Sequence, residues 1–147
     1  MNKKNLSGFV YFGLLGGLIG TVMMDIVMFI EFYLIKMPIY TNYIVIGSAV
    51  GGAVWIGLIL HFIIGPTLGL IFGVTIALFD SLKINNYKKG IFLGVLAGLI
   101  TIPLGCVPTA ILSKVPIIEL VSFSTLPHLV WGSGLGWYFS YRVMKIK

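Results

Sequence analysis

Two stretches of the chain share one spacing: GLILHFIIGPTLGLIFG at residues 57–73 and STLPHLVWGSGLGWYFS at residues 124–140. The first sets Gly57, His61, Gly65, Gly69 and Gly73 four residues apart, and the second does the same with Ser124, His128, Gly132, Gly136 and Ser140. Residues at i and i+4 line one ridge of an α-helix. A ridge of glycine and serine lets a second helix approach closely, and each ridge carries one imidazole into that approach. Gly57, Gly69, Gly73 and Gly136 are therefore read as packing positions. Both ridges lie in apolar sequence that is too long and too poor in charge for a soluble core.

Outward from the ridges the whole chain has the same character. It has 147 residues, of which 59% are hydrophobic and 10% charged, with a mean hydropathy of +1.08; a soluble domain carries about 25% charged residues. Four apolar stretches, at about 8–35, 49–79, 90–112 and 118–141, each exceed the roughly 20 residues that cross a bilayer. The expectation is one all-α domain over residues 1–147, an integral membrane four-helix bundle. The run after Met1–Lys4 is longer than a signal-peptide core and lacks an A-x-A-like end, so it is expected to stay as the first helix. Cys106 is the lone cysteine and has no partner for an internal disulfide.

A net charge of +6 would suggest nucleic acid in a soluble protein. Here the basic residues lie between and beyond the spans, so the expected partner is the lipid bilayer and not nucleic acid. Lys3, Lys4, Lys83, Lys88, Lys89, Arg142, Lys145 and Lys147 fall on one side, and Lys36 and Lys114 on the other. The positive-inside rule then places both termini and the 80–89 loop in the cytoplasm of a multi-pass plasma-membrane protein.

Prolines mark the joints. The first span stops before Pro38, and a loop from Lys36 to about Ser48 follows, with Tyr40 and Tyr43 suited to the interface. The fourth span either starts near Ile117 and kinks at Pro127, or is capped by Ser124 or Thr125 with Pro127 in its first turn. Gly13, Gly17, Thr21 and Asp25 in the first span match Gly94, Gly98, Ile102 and Cys106 in the third, 81 residues on. With the histidine ridges, this predicts a parallel internal duplication of two two-helix halves.

A charged group at membrane depth costs at least about 2.5–3.5 kcal/mol on insertion scales, so each needs a reason. Asp25, His61, Cys106 and His128 are expected in one layer, in the half of the membrane away from the termini. Four readings fit. His61 and His128 ligate a b-type haem, with Gly65 and Gly132 leaving room for its ring. Asp25, His61, Cys106 and His128 hold a metal ion, with copper favoured by the thiol, the imidazoles and the nearby Met24 and Met28. The groups form a path for a proton or small solute. Or each imidazole bonds a carbonyl or Asp25 and locks the bundle. The glycines of 132–136 lie inside a helix and form no phosphate loop, and no CxxC, HExxH or nucleophile–base pair is present. Catalysis by this chain alone is not expected.

The doubled H-x-x-x-G-x-x-x-G stripe on four short spans resembles small prokaryotic four-helix membrane proteins of unknown function. In size and helix count the chain is also similar to accessory subunits of archaeal respiratory and ammonia-oxidising membrane complexes. The resemblance implies no catalytic residue. Glycine faces on all four spans exceed what one small bundle needs. The expected role is thus a structural or assembly subunit of a larger complex, with other membrane subunits or a second copy as partner.

Overall fold

The computed structural model describes residues 3–145. It contains α1 (Lys3–Leu34), α2 (Thr41–Ala49), α3 (Val54–Leu78), a 3-10 turn (Asp80–Leu82), α4 (Tyr87–Ser113) and α5 (Ile117–Lys145), with no strand among the described residues. Of the lysines counted for orientation, Lys147 lies outside the described residues, as do the side chains of Lys3 and Lys4. Leu6–Leu34, Val54–Leu78 and Tyr87–Ser113 are long and apolar enough to cross a membrane, with hydropathies of 2.0, 2.1 and 2.2. These are helices suited to a lipid environment.

Two expectations need correction. The loop expected over 36–48 contains α2, and the helix expected from residue 49 begins at Val54. Gly51 separates them with φ +69, a left-handed conformation that suits glycine. The fourth long helix runs unbroken from Ile117, with Pro127 inside it. Pro66, Pro103 and Pro108 also lie inside helices without ending them. Hydroxyls are satisfied within their own helix: Thr21 donates to the Gly17 carbonyl at 2.8 Å, Ser133 to Leu129 at 2.8 Å and Ser140 to Gly136 at 2.7 Å. That leaves fewer polar groups for lipid to meet.

The turns after α1 and α4 are built alike. Lys36 and Lys114 both have φ 60, and each is followed two residues later by proline. The Lys114 N–H donates to the Ala110 carbonyl, closing α4 with a left-handed cap. A left-handed lysine costs roughly 1–2 kcal/mol that glycine avoids, set against about 0.5–1 kcal/mol of extra chain entropy. Lys114→Gly is accordingly expected to raise the unfolding free energy by up to about 1 kcal/mol, measured by thermal melts in detergent.

The long helices form a row. α1 packs on α3 and on α5, and α5 packs on α4. α3 and α4, at the two ends of the row, are not packed together, and α2 bridges them at the end away from the termini. The result is an arc whose open side lies between α3 and α4.

Glycine backbones make its joints. A Cβ at Gly69 would lie 2.6 Å from the Gly17 Cα, across the α1/α3 seam. A Cβ at Gly94 would lie 2.9 Å from the Gly136 Cα, across the α4/α5 seam. Ordinary carbon contacts need about 3.5–4.0 Å, so no side chain fits. Gly16 and Gly20 receive Leu135 and Trp131 of α5. Gly73 meets Phe9 and Gly13, whereas Gly57 faces α2, where a Cβ would lie 2.8 Å from the Gly47 nitrogen.

Near the termini the arc is filled. Phe139 is fully buried, and the rings of Phe72, Phe9 and Phe12 meet it edge-on at 5.3, 5.5 and 6.5 Å. Leu135, Ile76, Ile84 and Val143 complete this plug, and the Arg142 guanidinium lies 5.0 Å over the Phe12 ring.

Candidate functional site

Beyond the plug, toward α2, the arc encloses a cavity of about 150 Å³. Thr21 and Met24 of α1, His61 and Gly65 of α3, Thr101 and Cys106 of α4, and Ser124, His128 and Trp131 of α5 line it. Asn42, Val45 and Ile46 of α2 form its roof. The cavity exists because the glycine seams draw α3 onto α1 and α4 onto α5, while nothing draws α3 onto α4.

Asp25 stands behind His61. The imidazole Nε2 lies 3.0 Å from Asp25 Oδ1, and the two side chains are 10% and 8% exposed respectively. The two atoms are at bonding distance but off the line of a good N–H···O bond. The Tyr43 phenol, on α2, hydrogen-bonds the same carboxylate. Burial, the Asp25 charge and that hydrogen bond all push the Tyr43 pKa above its usual value, so it stays a donor. Its ring also meets the His61 ring at 5.7 Å. A carboxylate, an imidazole and a phenol from three helices thus converge, and of the three the imidazole lines the cavity.

The second imidazole is held differently. His128 Nδ1 lies 2.8 Å from the Ser124 carbonyl, one turn back in its own helix. A carbonyl only accepts, so Nδ1 carries the proton and Nε2 of the neutral ring is an acceptor. Cys106 donates its thiol to Ser124 Oγ at 3.5 Å. Two donors are left over: Trp131 Nε1 and Asn42 Nδ2 are buried without a partner, and Trp131 is 3% exposed. An unpaired buried donor costs about 1–3 kcal/mol.

The four residues expected in one layer therefore separate into two groupings. Asp25 pairs with His61, while Cys106 and His128 both turn to Ser124; His61, Cys106 and His128 share the cavity. Among the described residues no three His, Cys, Asp or Glu side chains gather closely enough to hold a metal ion. Gly65 and Gly132, the positions expected beside a haem ring, face neighbouring helices: a Cβ at Gly65 would strike the Thr21 hydroxyl, and one at Gly132 would lie 2.8 Å from the Gly94 carbonyl carbon. The glycine surplus that suggested an outside partner is largely used inside the chain, on the α1/α3, α4/α5 and α1/α5 seams.

Tyr43, Asn42, Thr101 and Trp131 are site residues that spacing alone does not single out. Tyr43 and Asn42 lie on a helix too short for a periodic signal. Trp131 lies beside Gly132 on a face that only the α1/α5 contact defines. No family model, curated protein or solved structure matches this chain.

Proposed function

We propose that this chain is a multi-pass plasma-membrane protein that binds a small molecule at membrane depth, beside a proton-carrying Asp25–His61 pair. In this reading α1, α3, α4 and α5 all cross the bilayer as a four-helix bundle opened on one side, with both termini cytoplasmic. At 29 residues, α5 extends about 43 Å at 1.5 Å per residue, enough for a hydrocarbon core of about 30 Å. The matched glycine seams and the matched lysine–proline turns support a duplicated origin for its two halves.

The observation that carries the reading is His61, backed by Asp25 at 3.0 Å, on the wall of a cavity that it shares with Cys106 and His128. Ionisable groups at membrane depth are functional candidates by default. Asp25 and His61 together can hold a proton next to a ligand and return it, and Tyr43 fixes the carboxylate. The haem reading keeps both imidazoles on one cavity, with Gly65 and Gly132 packed against neighbouring helices. The assembly-subunit reading keeps its grounds in the short loops and the absence of a catalytic set, while the glycine faces that also suggested it are largely used inside the chain.

Native mass spectrometry of protein purified from its own membranes in mild detergent tests this. The expected result is a small-molecule adduct on the wild type that is lost in Asp25→Asn. Larger subunits at fixed stoichiometry, with no adduct, would return the role to assembly.

A further inference from the structure

We infer that the end of the molecule near the termini docks acidic phospholipid headgroups. This goes beyond the Asp25–His61 reading and shares with it only the placement in a bilayer. Five cations gather at that end: Lys83 after the 3-10 turn, Lys88 and Lys89 at the start of α4, and Arg142 and Lys145 at the close of α5. The α4/α5 seam sets the α4 pair beside the α5 pair, because Gly90 packs on Ser140 and Gly94 on Gly136. Of the 4 acidic side chains in the sequence, only Asp80 belongs to this end. Among the described residues no acid pairs with any of the five cations.

Folding thus concentrates positive charge and supplies no counter-charge. Like charges crowded on one end repel. Lys88 and Lys89 also stand in the first turn of α4, which holds no acid, and that is the sign a helix N-terminus disfavours. Lys89 donates to the Ser81 carbonyl at 3.2 Å, while Lys83, Lys88 and Lys145 are exposed. Aromatic side chains set the depth of this end. The Trp137 and Tyr141 rings stack at 6.3 Å, and Lys145 Nζ lies 4.4 Å over the Tyr141 ring. A Trp–Tyr–Lys stripe at i, i+4 spacing suits the headgroup level of a bilayer. Cations held there lie within a Debye length, about 8 Å, of the headgroups. Acidic lipids are the anions that such a surface presents, and they attract lysine and arginine placed beside a membrane span.

Trp137 is 49% exposed and reports which lipids surround this end. Trp55, 62% exposed at the opposite end, is replaced by phenylalanine, and Trp131 is buried and common to every variant. The protein is placed in mixed phosphatidylglycerol and phosphatidylcholine vesicles, with brominated chains carried by one lipid or the other. Bromine quenches tryptophan on contact, so the ratio of the two quenching constants measures lipid preference. We expect phosphatidylglycerol to be preferred at least about fivefold at low salt. The triple variant Lys83→Gln, Lys88→Gln, Lys145→Gln should bring the ratio to about 1 with an unchanged melting temperature, since these side chains are exposed. Lys36→Gln with Lys114→Gln, at the opposite end, should leave the ratio at its wild-type value. Equal quenching by both lipids in the wild type overturns the docking surface. A preference that persists in the triple variant overturns its assignment to these lysines. Loss of the preference to inorganic phosphate or to a short RNA, at constant ionic strength, would make this end a site for a soluble anion and overturn the lipid.

Discussion

Gly69→Leu is expected to prevent α1 and α3 from docking, so that the purified protein aggregates or runs as a broad, unfolded species in size-exclusion chromatography. The cause is the identity of the neighbour. At Gly69 a new Cβ meets the Gly13 carbonyl and the backbone of Gly17, and backbone cannot move aside as a flexible side chain can. Overpacking costs about 1–3 kcal/mol where neighbours relax; here the whole seam must part, so the loss exceeds that range. Gly136→Leu should do the same at the α4/α5 seam, where a Cβ lies 2.9 Å from the Ile91 Cα. Gly105→Leu is the matched control, because that position faces open space. Gly47 is not a suitable control although it was expected in a loop. It is buried on α2, where a Cβ would meet the Ala53 carbonyl at 2.6 Å. The same ridges predict a right-handed crossing of about −40° at each seam.

The second large effect concerns the Asp25–His61 pair. Asp25→Leu removes the carboxyl 3.0 Å from the buried His61 Nε2, and His61→Leu leaves the Asp25 carboxyl without its imidazole. Each single change is expected to destabilise by about 1–3 kcal/mol, the cost of a buried polar group left unsatisfied. Asp25→Leu also strips the Tyr43 hydroxyl of its acceptor, so it should be the worse of the two. The double variant is expected to be more stable than the sum of the singles, since replacing both partners removes the orphan. A double-mutant cycle from reversible unfolding in detergent measures the coupling. Strict additivity would mean that the two side chains do not interact.

Much of the fold was legible because membrane spans announce themselves by length and hydropathy. The three most apolar helices lie within a few residues of where the sequence placed them, and α5 follows the His128 ridge despite Glu119, Arg142 and Lys145. The order of helices was not legible. A glycine ridge says that some helix comes close and not which one. Gly13 and Gly17 receive α3, whereas Gly16 and Gly20, on the next face of the same helix, receive α5. That second ridge makes α1 a central helix and leaves α3 and α4 apart.

The site was half legible for the same reason. Depth along the spans brings Asp25 and His61 to one level, and the structure joins them. Depth does not reveal rotation, so it could not foretell that His128 would bond the Ser124 carbonyl or that Trp131 would be buried with a free donor. α2 escaped because nine residues are too few to show a 3.6-residue period. With it went Tyr43, which holds the Asp25 carboxylate.

The most direct test of a ligand held beside Asp25 and His61 is an experimental density map of the protein, purified from its own membranes and held in lipid nanodiscs. Non-protein density is expected in the cavity among His61, Thr101, His128 and Trp131, with His61 Nε2 in contact with Asp25. A map in which α3 packs directly on α4, with the cavity closed and Asp25 and His61 apart, would contradict it.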